Sequence, residues 1–221
     1  MQIGRFARDH QILFHTDAVQ AYAQIPISMQ QYHIDLLSAS AHKFHGPKGV
    51  GFLYVRDGVT MPSFIHGGSQ ERGKRAGTEN VAGIVGMAQA LVIAAQEMPY
   101  TRGKLTRLRN YFAERVRHEI PNIRLNGHPY KRLPGNVNFS IEGIDATALL
   151  VLLEEEGICA SAGSACNTGQ TRISHVIEAI RVPENYAAGS VRFTMGRDTT
   201  RRDVDACVDA LKRCVIILRQ G

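Results

Sequence analysis

Apolar positions along the chain repeat with two different periods, and the period changes from segment to segment. The first ten residues read as the end of a helix. A short apolar strand follows in ILFHTDAVQ and runs into a loop or helix start. IDLLSASAHK is a second strand-like run of apolar and small residues, closed by a turn at HGPKG. GVGFLYVRDG is a third strand, rich in Val, Phe and Tyr. Two strands separated by a polar crossover predict an α/β sheet. The segment from Glu79 to Met98, with VAGIVGMAQALVIAAQ at its centre, is apolar nearly all round and predicts a helix buried on most sides. Beyond it Leu105, Leu108, Phe112, Val116 and Ile120 recur at three- or four-residue steps, the pattern of an amphipathic helix.

From about Asn122 the pattern changes. LPGNVNFSIEG alternates like a strand. DATALLVLLEEEG reads as a helix with Asp145 as N-cap and Gly157 as its stop. ASAGSACNTGQT is a loop of small residues, SVRFTMG is another strand, and a last helix starts near Thr200, whose hydroxyl is placed to cap it. The change of pattern puts a domain boundary near residue 100, giving segments 1–100 and 101–221.

With 44% hydrophobic and 21% charged residues the composition is that of an ordinary globular protein, long enough for one large domain or two small ones. No run of eighteen apolar residues is found, so no membrane span is expected. The N-terminal MQIGRFARDHQ lacks the apolar core of a signal peptide. The expectation is a soluble cytoplasmic protein. Cys159, Cys166, Cys207 and Cys214 form no Cys-x-x-Cys pair, and no His pair has zinc-ligand spacing. No metal site is expected, and the thiols read as free in a reducing compartment. Much of the net charge of +6 sits between Thr101 and Arg132. Aromatic residues for base stacking are sparse and Trp is absent, so the basic stretch reads as a solvated helix face, not a nucleic-acid surface. An acidic protein partner stays open.

Candidate chemistry starts with Asp17 and Lys43, each at the end of an expected strand. Ligands of open α/β sheets sit beyond such strand ends. Pyridoxal phosphate needs a lysine for its Schiff base and an anion beside its pyridine nitrogen. The pair supplies both, although a capping aspartate and a surface lysine fit the same spacing. Lys48, between Pro47 and Gly49, is expected in a turn pointing to water. Ser40 and His42 flank the strand end with groups suited to a phosphate oxygen, or to local turn bonding. The loop GSQERGKRAGTEN nearly matches a nucleotide-binding P-loop, but Arg75 stands where the magnesium-binding hydroxyl belongs. Its free N–H groups with Arg72, Arg75 and Thr78 still make an anion site credible. Cys166 lies in a loop of small residues where a thiol is accessible. Cys159 is expected in the core, and Cys207 and Cys214 on the buried face of the last helix. Arg192, among apolar neighbours in a strand, calls for an anion, either a substrate carboxylate or an internal partner.

HTDAVQ, SASAHKFHGPKG, GGSQERGKRAGTEN, SAGSACNTG and SVRFTMGRDTT, in this order, resemble the hallmark segments of cysteine desulfurases of the iron–sulfur-cluster type, within the class-V aminotransferases. The resemblance implies an α/β fold. It is the C-terminal part of the type I fold of pyridoxal-phosphate enzymes, with part of the large-domain sheet in 1–100 and a smaller α+β domain in 101–221 that carries the cysteine loop. It implies pyridoxal 5'-phosphate as cofactor and L-cysteine as substrate. Asp17 would face the pyridine nitrogen and Gln20 the ring hydroxyl. Ser40 and His42 would bind the phosphate, Lys43 would carry the cofactor, and Thr78 would reach the phosphate of the other subunit of a homodimer. Arg192 would hold the substrate carboxylate. Cys166 would take the sulfur as a persulfide and pass it to an iron–sulfur scaffold or sulfur-carrier protein. The family's earlier motifs, among them a phosphate-binding loop and a histidine stacked on the ring, have no counterpart here. A catalytically incompetent module for dimerisation or scaffold docking, and a selenocysteine lyase, are the alternatives.

Overall fold

The computed structural model describes residues 2–162 and 173–220. The chain forms two compact units, Met1–Pro99 and Tyr100–Gly221. The first contains α1 (Gln2–Asp9), β1 (His15–Asp17), α2 (Met29–Tyr32), β2 (Leu36–Ser40), one turn of 3-10 helix (Ala41–Phe44), β3 (Gly51–Val55) and a single turn, α3 (Gln70–Gly73). β1 runs parallel to β2 with Asp17 opposite Ser38, and β3 pairs antiparallel with the other side of β2. Leu37 and Ala39 of β2 alternate into a small core with Ala18 and Ile34, against which Phe14, Tyr22 and Phe52 pack. The rings of Tyr22 and Phe52 meet edge to face, 5.0 Å apart.

Both expected parallel strands are shorter than their apolar runs. β1 stops at Asp17 because its Oδ1 accepts a hydrogen bond from the Val19 N–H at 2.9 Å, which turns the chain. β2 stops at Ser40, so Lys43 does not end a strand; it lies in the 3-10 turn, which closes on His45 with φ of 66°. Asp35 holds the entry to both strands. It accepts from the Phe14 N–H at 2.8 Å and from Arg56 Nε at 2.6 Å, and its own N–H donates back to the Phe14 carbonyl.

The helix α4 (Val81–Glu119) spans what the sequence pattern reads as two helices, with Pro99 inside it. A proline removes one intrahelical hydrogen bond and costs rigidity at that point, but here the helix continues through it. Its first half departs from expectation. Within 81–98 only Gly83 is buried, while Val81, Val85 and Val92 are more than half exposed. All-round apolarity implies burial only where other elements are present to cover the helix, and unit 1 does not cover this one. By length and composition alone α4 is also long and apolar enough to cross a membrane, although polar residues interrupt its apolar run.

In the second unit the amphipathic reading of α4 holds: Leu105, Phe112, Val116 and Ile120 are buried. They pack on a three-stranded antiparallel sheet, β4 (Ile123–Leu125), β5 (Asn136–Ile141) and β6 (Ser190–Thr194), in the order β4-β5-β6. The helix α5 (Ala146–Glu155) is capped by Asp145, whose Oδ1 accepts from the Ala148 N–H at 2.9 Å, and ends before Gly157 at φ of 76°. The short helices α6 (His175–Ala179) and α7 (Glu184–Ala187) follow, too short for periodicity to reveal. α8 (Arg201–Gln220) begins with a reciprocal cap between Thr200 and Asp203. Val137, Phe139, Val191 and Phe193 point from the sheet into the core; Phe112 meets the Phe193 ring edge-on at 5.2 Å. Arg109, only 4% exposed, donates to the carbonyls of Arg132 and Leu133 and so fixes the turn that leads into β5. At Gly189 any Cβ would strike the Ile141 carbonyl, so only glycine lets β6 start this close to the end of β5.

Replacing Leu149, fully buried on α5, with Ala is expected to cost unit 2 about 2–5 kcal/mol in chemical denaturation, through lost burial and the cavity left behind. Asp35 provides a pH-dependent check on unit 1. Burial alone would raise its pKa, but the Phe14 N–H and the Arg56 guanidinium together hold it below the ordinary carboxylate value. A depressed folded-state pKa gives stabilisation that is complete above the unfolded value of about 4 and is lost as the pH falls through the folded one. Asp35→Asn is expected to lower stability at pH 7 and to flatten the acid limb of the stability–pH curve; an unchanged acid limb would show that the clasp contributes nothing.

Candidate active site

Because β1 and β2 are parallel, their C-terminal ends lie on the same side of the sheet, where open α/β folds hold ligands. Asp17 is the last residue of β1 and is exposed, with one oxygen engaged by Val19; Gln20, exposed, follows in the turn. Ser40 ends β2, and His42 and Lys43 stand exposed on the 3-10 turn that follows. Ser40 and His42 line a shallow cleft of about 460 Å³ together with Lys48, Gly49, Val50 and Gly51. Lys48 therefore borders the cleft, which its turn position did not suggest, while Lys43 sits on the adjoining turn. Thr78 is exposed on the loop before α4 and is not among the cleft residues. That loop is tied by a bridge between Ile65 and Arg75 and by the Gly77 N–H donating to Gln70 Oε1. Within it Glu71, Arg72 and Gly73 all have positive φ.

A second cleft, about 700 Å³, opens at the opposite, N-terminal end of β1 and β2, bordered by Arg8, His33, Asp35, Tyr54 and Arg56. Its charges are largely matched internally, Arg56 by Asp35 and Arg8 by the neighbouring Asp9. It lies away from the strand ends that carry Asp17 and the Lys43 turn.

In unit 2, Arg192 is half-buried in the middle of β6. Among the described residues its guanidinium makes no ion pair. Its backbone is paired on both sides: with Asn138 of β5, and with Ser161, which exchanges two hydrogen bonds with it at 3.1 and 2.7 Å. Ser161 lies five residues before Cys166, which itself falls outside the described residues. The polar residues around Arg192 went unnoticed in the sequence. The signal was the alternation in NVNFSI, whose Asn136, Asn138 and Ser140 share the face opposite the core.

The cysteines correct one expectation. Cys159 is exposed, not in the core, because Ile158 and Ala160 on either side of it turn inward and leave it facing out. Cys214 is buried and Cys207 half-buried on α8; burial pushes the Cys207 thiol up to about 12 and raises that of Cys214 as well. Among the described residues no group of three His, Cys, Asp or Glu is arranged to hold a metal ion.

The parallel β1–β2 pair thus ends in an aspartate on one strand and, on the other, in a serine followed by a turn that carries a histidine and a lysine, residue types that an enzyme built around an aldehyde cofactor requires. The chain belongs to the class-V aminotransferase family, whose model matches residues 1–207. It is 47% identical over 218 residues, 99% of its length, to the cysteine desulfurase IscS of Dictyoglomus turgidum, covering 55% of that protein. It is 43% identical to a cysteine desulfurase of Klebsiella pneumoniae, with the same coverage. Among solved structures, a NifS-like protein from Rickettsia africae superimposes with a TM-score of 0.88 at 28% identity over 97% of this chain and 57% of that one. A further NifS-like protein gives 0.86 at 33% identity, over 97% and 56%. The chain thus spans about half the length of the curated relatives it matches, and its fold is the corresponding part of the type I pyridoxal-phosphate architecture. The cysteine desulfurases of this family depend on pyridoxal phosphate.

Thiol labelling at pH 7 followed by peptide mapping should modify Cys159 rapidly, and Cys207 and Cys214 only after unfolding. Equal rates for Cys159 and Cys214 in the folded protein would contradict their placement.

Proposed function

We propose that this chain carries the lysine, sulfur-accepting and substrate-carboxylate groups of a pyridoxal-phosphate-dependent cysteine desulfurase, which takes sulfur from L-cysteine and leaves L-alanine. The observation that carries the reading is the parallel β1–β2 pair, which sets Asp17 and the Ser40–Lys43 turn at one end of one sheet. The donor types suit the cofactor: the Ser40 hydroxyl and His42 imidazole line the cleft with Gly49 and Gly51, the Lys43 amine stands on the turn beside it, and the Asp17 carboxylate ends the neighbouring strand. The first segment, 1–100, is then part of the cofactor-binding large domain, and 101–221 the small domain with the cysteine loop.

When bound, the cofactor supplies an electron sink that acidifies the Cα proton of the substrate. Lys43 would hold the cofactor, and its amine would move the Cα proton of the substrate. The Asp17 carboxylate would keep a proton on the pyridine nitrogen, and Gln20 would donate to the ring hydroxyl. Ser40 and His42 would anchor the phosphate, and Thr78 would reach the phosphate of the second subunit in a homodimer. Arg192 orients the substrate through its carboxylate. The Cys166 thiolate attacks the substrate sulfur; the new S–S bond forms as the Cβ–S bond breaks, leaving a persulfide on Cys166. A scaffold or sulfur-carrier protein then accepts the sulfur, in the cytoplasm, for iron–sulfur cluster assembly or thiolation. The exposed apolar stretch 81–98 fits a chain that works together with further polypeptide, whether the rest of the fold or a second copy.

Purified chain mixed with pyridoxal phosphate should develop a visible absorption band that is absent in Lys43→Ala. L-cysteine should then yield alanine, and Cys166→Ser should abolish that yield while keeping the band. An identical band in Lys43→Ala would move the cofactor to another amine, with Lys48 the first to test. No band in either protein would leave this chain without cofactor binding of its own. Comparing turnover on L-selenocysteine separates a selenocysteine lyase from a desulfurase.

A further inference from the structure

We infer that the uncharged amide of Asn138, the cross-strand neighbour of Arg192, keeps this site free of an internal anion and leaves the Arg192 guanidinium open to an external carboxylate. The inference rests on the proposed role of Arg192 but is read from the sheet around it. One rung crosses the second unit from Asn126 through Asn138 and Arg192 to Ser161, joined by backbone pairing at each step. Residues directly opposite in an antiparallel pair share a face, with Cβ atoms about 4.5–5.5 Å apart, so Asn138 is the cross-strand neighbour of Arg192.

The Asn138 amide is already committed. Its Oδ1 accepts from Asn126 Nδ2 at 2.6 Å and from Ser190 Oγ at 3.2 Å, and Asn126 Nδ2 also donates to Ser140 Oγ at 2.7 Å. Asn126, Ser140 and Ser190 are all buried. The acceptor of the residue facing Arg192 is thereby turned to its neighbours, and the residues named on this face are amides and hydroxyls, not carboxylates. The network carries a cost: Asn126 Oδ1 is buried without a hydrogen-bond partner, which apolar residues at these positions would avoid. Its counterpart on the other face of the same strands is wholly apolar, so sheet stability alone does not call for it. With amides and hydroxyls at these positions, no anion among the described residues neutralises the cation.

Asn138→Asp is the discriminating change. An aspartate keeps an oxygen where Asn126 and Ser190 donate, and converts only the amide nitrogen into an anionic oxygen beside Arg192. The assay is the rate at which phenylglyoxal modifies Arg192 in the purified chain, followed by peptide mapping, with thermal melts as a control for folding. Wild type should react. Asn138→Asp should react at least about tenfold more slowly, the range expected for a charge-assisted pair, and Asn138→Ala should stay within about twofold of wild type. An aspartate variant that melts like wild type and reacts at its rate would overturn the inference. So would an alanine variant that reacts several-fold faster, since Asn138 would then be restraining Arg192. The reactivity is read without cofactor or substrate, so failure of the absorption test for pyridoxal phosphate leaves this result standing, and the reverse also holds.

Discussion

The arrangement of the first unit depends on a clasp between Phe14 and Asp35. The Phe14 carbonyl accepts the N–H groups of Asp35 and Leu36, and the Asp35 carboxylate takes the Phe14 N–H in return. Parallel strands have no hairpin to fix their alignment, so register must be set by side chains and by the hydrophobic pattern. A slip of one residue would turn Leu37 and Ala39 out of the core and reverse every side chain at the far end. With the clasp at the entry, Asp17 falls opposite Ser38, and the chain leaves β2 at Ser40 directly into the turn that bears His42 and Lys43. A contact at one end of the sheet thus decides which functional groups gather at the other.

The second unit separates its two tasks by face. Strand alternation sends Val137, Phe139, Val191 and Phe193 into a core closed by α4, α5 and α8, and sends Asn138, Ser140, Ser190 and Arg192 to the other side. The helices are locked together at the surface as well: Arg115 of α4 meets Asp205 and Asp209 of α8 as well as Glu119 of its own helix. On that polar face Arg192 has no counter-ion among the described residues, and its backbone is paired with Ser161, which lies just before the cysteine loop in the sequence.

The first unit, by contrast, leaves several large apolar side chains exposed. Ile12 and Leu13 stand exposed before β1, an edge strand in parallel pairing, and the first half of α4 is open along most of its length. Sheets with parallel strands are ordinarily covered on both faces. The curated relatives are much longer than this chain, which matches about half of each.

Local chemistry alone settled the caps at Asp145 and Thr200, the stop at Gly157, the buried face of α4 from Leu105 to Ile120 and the strands β3, β5 and β6, because each depends on residues a few positions apart. The motifs that lead to the family were legible for the same reason. Short elements such as β4, α6 and α7 left no periodic trace, and the extra length of the expected β1 and β2 runs gave way to side-chain turns at Asp17 and after Ser40. Whether an apolar surface is covered is a property of the neighbours, so the burial expected of residues 81–98 and of Cys159 failed, one for want of covering elements and the other through the alternation of its flanking residues. Only the tertiary structure could set Asn126, Asn138, Arg192 and Ser161 on one rung, since strand pairing joins positions that the sequence keeps up to 54 residues apart.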